Sequence, residues 1–354
     1  MRCLGFVPGT TIHSSPCRDS TISIAAVWKQ RFCFRSVLKS SILRCRFSVL
    51  PFTCLIASET LNHSVPFRDR QQMLSTETPK IQGEWVGYSA NYEMDTGKVI
   101  YVPEKWVPDA FIDWGVIVKG LEHMTSATLD GDLLRMKETL ILPKVGCEED
   151  AVAVDVSEHQ IPYKSFEFVP FPDGSFSYGP DRLQGDDSRL LLTNVTVFHP
   201  TENDESHEWT RLGITVSFGT RTIQLVKEDW NLEYNGGQSL IGCGGNIQPF
   251  DDDQRLDPSD LLKFQKGTKI TWSKDVGVEI EQETDCAVPW AVDKILFDWY
   301  LPANAHVRCF YGEEGRFCLQ TGWLATPSQY LFISREYNQQ EFIRATWFES
   351  KGEI

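Results

Sequence analysis

The chain has 354 residues, 41% of them hydrophobic, with 11 Trp and 21 Phe, which is enough for the cores of two ordinary domains. Its net charge of −15 is divided unevenly: residues 1–80 carry 11 Lys/Arg against 4 Asp/Glu, a net of +7, and the remainder carries 23 against 45, a net of −22. So acidic a body repels phosphate backbones, which argues against nucleic acid as a partner and favours a basic protein surface.

Residues 1–75 do not read as a folded domain. Up to Ser58 there are eight Arg/Lys and one acid, Asp19, among many Ser, Thr and Cys. The composition predicts a disordered organelle transit segment, plastid first and mitochondrion second. Translation from Met73, giving a cytosolic form, stays open as a third reading. The apolar stretch from Phe47 to Ala57 is too short to span a bilayer, so no membrane span is expected.

Strand text begins at Gly83. From Trp85 to Tyr92 the residues alternate, with Val86, Tyr88, Ala90 and Tyr92 on one side and Trp85, Gly87, Ser89 and Asn91 on the other. Asp95-Thr96-Gly97-Lys98 reads as a turn, 102–109 as a loop with two prolines, and Asp109 to Trp114 as a helical turn. Thr128-Leu129-Asp130-Gly131-Asp132 is a hairpin signal before the strand Leu133–Leu142. Further short strands are read at Ala151–Val156, Phe166–Val169, Phe176–Tyr178 and Leu190–Phe198. The polar run 200–208 is taken as a domain boundary, with a long hairpin tip as its rival. Strands then resume: Leu212–Phe218, Ile223–Val226, Thr268–Trp272, Gly277–Ile280, Val307–Phe310, Phe317–Leu324, Tyr330–Tyr337 and Phe342–Phe348. Leu261–Phe264 is a short helix, and Gly312–Gly315 a hairpin tip. The expectation is a mainly β protein with two antiparallel β-barrels in tandem, at 81–200 and 208–352.

Local signatures of chemistry are missing. Gly236-Gly237 and Gly242-Cys243-Gly244-Gly245 lack the Lys-Ser/Thr and βαβ context of a phosphate loop. No Gly-x-Ser-x-Gly elbow or His-Glu-x-x-His motif occurs. The acidic run at 251–260 lacks calcium-loop spacing, and His199 with His207 reads as a surface pair. Ten cysteines, widely spaced, indicate neither a disulfide framework nor a zinc site. Cys309 and Cys318 flank a hairpin tip, where they would be either a cross-strand thiol pair or two small buried hydrophobes. No enzyme activity, cofactor or metal is expected.

Six segments, in order, carry a resemblance: Gly83-Glu84-Trp85-Val86-Gly87-Tyr88, Val107–Trp114, Pro143–Glu148, Asp173–Pro180, and finally Gly322-Trp323-Leu324 and Ser334-Arg335-Glu336-Tyr337. Together they resemble the plant and cyanobacterial family of two-barrel, lipocalin/calycin-like proteins that includes the plastid biogenesis factor required for ATP synthase. The resemblance spans roughly 81–350. It implies a non-enzymatic assembly factor of the chloroplast stroma that binds β and γ subunits of the ATP synthase catalytic head. The alternative is a calycin-type carrier of a small apolar ligand, a tetrapyrrole or lipid. The candidate barrel-closing or cavity residues are Trp85, Tyr88, Tyr92, Trp323 and Arg335.

Overall fold

A computed structural model describes residues 81–141, 153–163, 165–183, 190–199, 209–234, 250, 255–285 and 292–352. The expectations for the head 1–80, for the glycine clusters at 236–245 and for His207 lie outside these residues. All described residues belong to one compact unit.

The first sheet is built from β1 (Gly83–Glu93), β2 (Val99–Ile100), β3 (Gly120–Asp130), β4 (Leu133–Ile141), β5 (Ala153–Pro162), β6 (Phe168–Pro170), β7 (Phe176–Tyr178), β8 (Leu191–Phe198), β9 (Thr210–Ser217) and β10 (Thr222–Leu232). Its order is β5-β4-β3-β1-β10-β9-β8-β7-β6, with β2 paired to β1. The sheet is a nearly closed barrel. Its end strands β5 and β6 are joined by a short connection, across which Tyr163 and Phe168 meet at 5.2 Å. A five-residue helix α1 (Asp109–Asp113) sits between β2 and β3, at the expected helical turn. The second sheet holds β11 (Lys266–Ser273), β12 (Gly277–Asp285), β13 (Val292–Leu301), β14 (Ala305–Gly312), β15 (Phe317–Thr326), β16 (Gln329–Asn338) and β17 (Glu341–Lys351), in the order β12-β11-β17-β16-β15-β14-β13.

The polar run 200–208 joins β8 to β9, which are antiparallel neighbours from Leu191↔Ser217 to Phe198↔Thr210. The strands on either side of it thus belong to one sheet, and the expected boundary there is corrected. The chain changes sheets between β10 and β11. The reason lies in pairing: β10 completes the first sheet against β1, with Trp230 opposite Trp85.

Alternation sorts the side chains into three layers. On β9, Leu212, Ile214 and Val216 join a large core shared with the second sheet through Val307, Leu319, Ile333 and Trp347. On β8 and β7, Val195 and Phe176 turn the other way, into a smaller cluster with Ala127, Leu134, Ile161 and Phe168 inside the first sheet. The second sheet has its own opposite face, where Phe332, Phe348 and Tyr330 pack with Leu256 and Phe264. The two sheets thus stand back to back, each with a separate inner face.

Polar contacts cross the shared layer. Arg335 is fully buried and donates to Tyr337 Oη (2.8 Å), Gly179 O (2.9 Å) and Phe166 O (3.1 Å), with its guanidinium 4.1 Å from the Phe342 ring centroid. The backbone of 181–183 pairs with the β16–β17 hairpin, through Phe342 N–Asp181 O and Leu183 N–Gln340 O. Trp299 Nε1 donates to Met94 O at 2.7 Å. A Cβ at Gly179 would lie 2.6 Å from Leu192 and 2.9 Å from Arg335 Nε, so this approach needs glycine.

Candidate functional site

The five expected residues divide between layers. Trp85 faces the inside of the first sheet and is fully buried. Tyr88 and Tyr92, three and seven residues on, have the opposite parity and pack in the shared core. Trp85 and the two tyrosines therefore do not line one cavity, because a strand sends odd and even positions to opposite faces. Trp323 also lies in the shared core, edge-on to Phe198 at 6.3 Å. Arg335 ties the sheets together, as described. The structure brings Tyr92, Trp323 and Arg335 into or beside the shared layer and leaves Trp85 apart.

Around Trp85 the inner face carries a charge network. Gly83 adopts φ 117°, and a Cβ there would meet the Trp230 ring at 2.2 Å, so the Gly-x-Trp spacing packs Trp85 against Trp230. Those rings are edge-on at 5.1 Å. The Arg211 guanidinium lies 4.4 Å from the centroid of Trp85. Arg211 Nε and Nη2 both reach Glu228 Oε2, at 2.7 and 2.6 Å. The other carboxylate oxygen accepts from Thr125 Oγ1 at 2.6 Å and lies 2.9 Å from His123 Nδ1. Gly87 stands between His123 and Glu228 in the register. A Cβ on it would lie 1.9 Å from the Lys227 carbonyl oxygen, so glycine allows the strands to close up.

Burial alone would raise Glu228, but Arg211 and then His123 outweigh it and hold the carboxyl at about 2. Burial would likewise lower His123, yet the Glu228 carboxylate, with Glu138 behind it, carries the imidazole above its ordinary value. A carboxylate so stabilised is a poor proton acceptor at neutral pH. Its partners make it a closed structural network.

The inner face of the second sheet is different. A cross-strand row runs through Asp298, Arg308, Gln320, Ser334, Thr346 and Thr271. Beside it, His306 Nε2 meets Asp298 Oδ1 at 2.7 Å while the ring stacks on Tyr300 at 4.6 Å. Among the described residues, His306 Nδ1 has no hydrogen-bond partner. Glu336 pairs with Arg344, but burial lifts its carboxyl to about 7. Cys318 lies opposite Glu336 on this face. Cys309 lies on the other face, in the shared core, so the two thiols are back to back and cannot bridge. Both are buried and free, and burial pushes both thiols well up.

At a barrel rim, His199 Nε2 lies 2.6 Å from the Asp173 carbonyl oxygen and its ring is edge-on to Trp209 at 4.3 Å. Asp173 takes both the amide and the hydroxyl of Ser175, a turn contact. Burial raises its carboxyl to about 6 against the pull of Ser175. Among the described residues no group of three or more His, Cys, Asp or Glu side chains is placed to hold a metal, and no helix is long and apolar enough to cross a membrane.

The class these features define is a mainly β protein of two back-to-back sheets, the first a nearly closed barrel. No protein-family model and no curated protein sequence matches the chain. Among solved structures it is similar to a protein of unknown function from the DUF3598 family of Nostoc punctiforme, at 14% identity and a TM-score of 0.48, over 77% of this chain and 96% of that one.

Sequence reasoning missed His123, Arg211 and Glu228, which come from three strands separated by 17 and 105 residues. The available signal was parity: Glu228 and Arg211 are charges at positions that alternation assigns to the inside.

Proposed function

We propose that this chain is a non-enzymatic assembly factor of the chloroplast stroma that binds β and γ subunits of the ATP synthase catalytic head. The ordered resemblance over 81–350 supports this reading, together with the acidity of the body. The structural observation that carries it is the mutually bonded, buried side chains on the inner face around Trp85. There the Trp85 ring is fully buried, and the buried Glu228 carboxylate is held by Arg211, His123 and Thr125. An inner face that commits its charged groups to one another suits a protein that works through its outer surface.

One observation favours a second reading, a carrier of a small ligand with a polar head and apolar body. The inner face of the second sheet sets a polar row beside the aromatic cluster of Phe332, Phe348 and Tyr330, and His306 Nδ1 is unpartnered there. Affinity capture of the protein from stroma separates the two, by mass spectrometry of bound proteins and an absorption spectrum of the eluate. Enrichment of β and γ subunits is the expected result. A pigment or lipid at one per chain without those subunits contradicts it.

A further inference from the structure

We infer that the excursion between β2 and β3, residues 101–118, is a docking surface for a basic, amphipathic segment of a partner protein. This rests on the reading that the chain binds proteins. The excursion is a built structure. Val102 N donates to Val118 O at 3.0 Å, closing its base, and Val116 N donates to Phe111 O at 2.8 Å. Pro103 and Pro108 precede its two helical turns with φ of −56° and −55°, and Phe111 is the buried anchor.

On this frame the large apolar side chains point outward. Trp114 is 65% exposed, Ile117 55%, Tyr101 53% and Ile112 44%. Scattered exposed hydrophobes are ordinary, but four on one short hydrogen-bonded excursion concentrate apolar surface in the way that marks interaction sites. The Val102–Val118 tie closes the base of the excursion between Tyr101 and Ile117 in the chain, and α1 carries Ile112 and ends at Trp114. Phe111 and Trp114 rings meet at 6.0 Å, which fixes the exposed indole against the anchor.

Charge names the occupant. Glu104, Asp109 and Asp113 are exposed among these side chains, with Lys105 the single exposed base between 101 and 118. The body they stand on carries 45 acids against 23 bases. An anionic bilayer and a second copy of this chain both present the wrong sign. A partner segment that is apolar on one face and Lys/Arg-rich beside it matches both features. Trp114 is the natural hot spot, as a large ring and the most exposed of the four.

The test uses the full chain as wild type, as Trp114→Ala/Ile117→Ser, and as Asp109→Lys/Asp113→Lys. Each is titrated with purified ATP synthase β and γ subunits, with a synthetic amphipathic Lys/Leu helix, and with phosphatidylglycerol vesicles. The expected result is that wild type binds a subunit and the peptide, and that Trp114→Ala/Ile117→Ser weakens both by more than about tenfold at an unchanged unfolding temperature. Charge reversal should weaken binding and flatten its salt dependence. Subunit binding that survives Trp114→Ala/Ile117→Ser overturns the docking surface and leaves the proposed function standing. Peptide binding lost in that variant, with no subunit bound by wild type, supports the surface and overturns the proposed client. Binding to vesicles alone overturns the surface.

Discussion

Trp85 shows how a single residue in this protein acts through its neighbours. It is held by Trp230 at its edge and Arg211 over its face, and Arg211 is in turn held by Glu228. Trp85→Ala should cost about 3–5 kcal/mol in chemical unfolding, as for large core truncations; a loss below about 1 kcal/mol would contradict the packing described. The titrating groups make signed predictions. Glu336 is raised to about 7 when folded, so between its unfolded value and about 7 the folded state binds more protons, and stability falls as pH rises through that window. Glu336→Gln should match wild type at pH 5 and exceed it at pH 8, by up to about 3 kcal/mol. Parallel unfolding-temperature curves for the two proteins would contradict this. His123 acts in the same sense: its contribution is complete below its unfolded pKa and lost as pH rises through its raised folded value. Glu228 works oppositely, contributing above its unfolded pKa and losing that contribution as pH falls toward about 2.

At the scale of elements, alternation along β1 was legible and correct, because one face is covered by the first barrel's interior and the other by the second sheet. Hairpin turns were legible where backbone geometry demands special residues: Gly131 has φ 61° between β3 and β4, and Gly174 has φ 90° between β6 and β7. β13 was not legible. Ile295-Leu296-Phe297 breaks alternation because the strand is bulged twice against β14. β10 was read too short, ending at Val226, because Lys227, Glu228 and Asp229 look like a loop until Arg211 supplies the buried partner. The polar run 200–208 looked like a linker because hairpin tips and linkers share a composition. Since β8 and β9 pair along their length, proteolytic cleavage within 200–208 should leave one particle on native size-exclusion chromatography. Separation into two fragments would contradict the sheet order. Arg335→Met should cost roughly 3 kcal/mol or more, since it strands Gly179 O and Phe166 O in the shared layer. Loss of less than about 1 kcal/mol would mean that the latch is dispensable.

For the whole molecule, the layers divide the work. The shared core between the sheets makes them one unit, the first barrel's inner face holds a buried charge network, and the exposed apolar side chains of the excursion at 101–118 face outward. The candidate interface was hidden in the sequence because buried and exposed apolar residues look alike in a loop without periodicity, so Ile112, Trp114 and Ile117 carry no mark of exposure there. The acidity of the body was visible at once, and it predicts encounter rates with a basic client that fall as salt rises. The most direct measurement is the ratio of assembled ATP synthase catalytic heads to free β and γ subunits in plastids depleted of this protein. The account predicts fewer heads and an excess of free subunits, restored by the wild-type chain. Normal head assembly in the depleted plastids would contradict it.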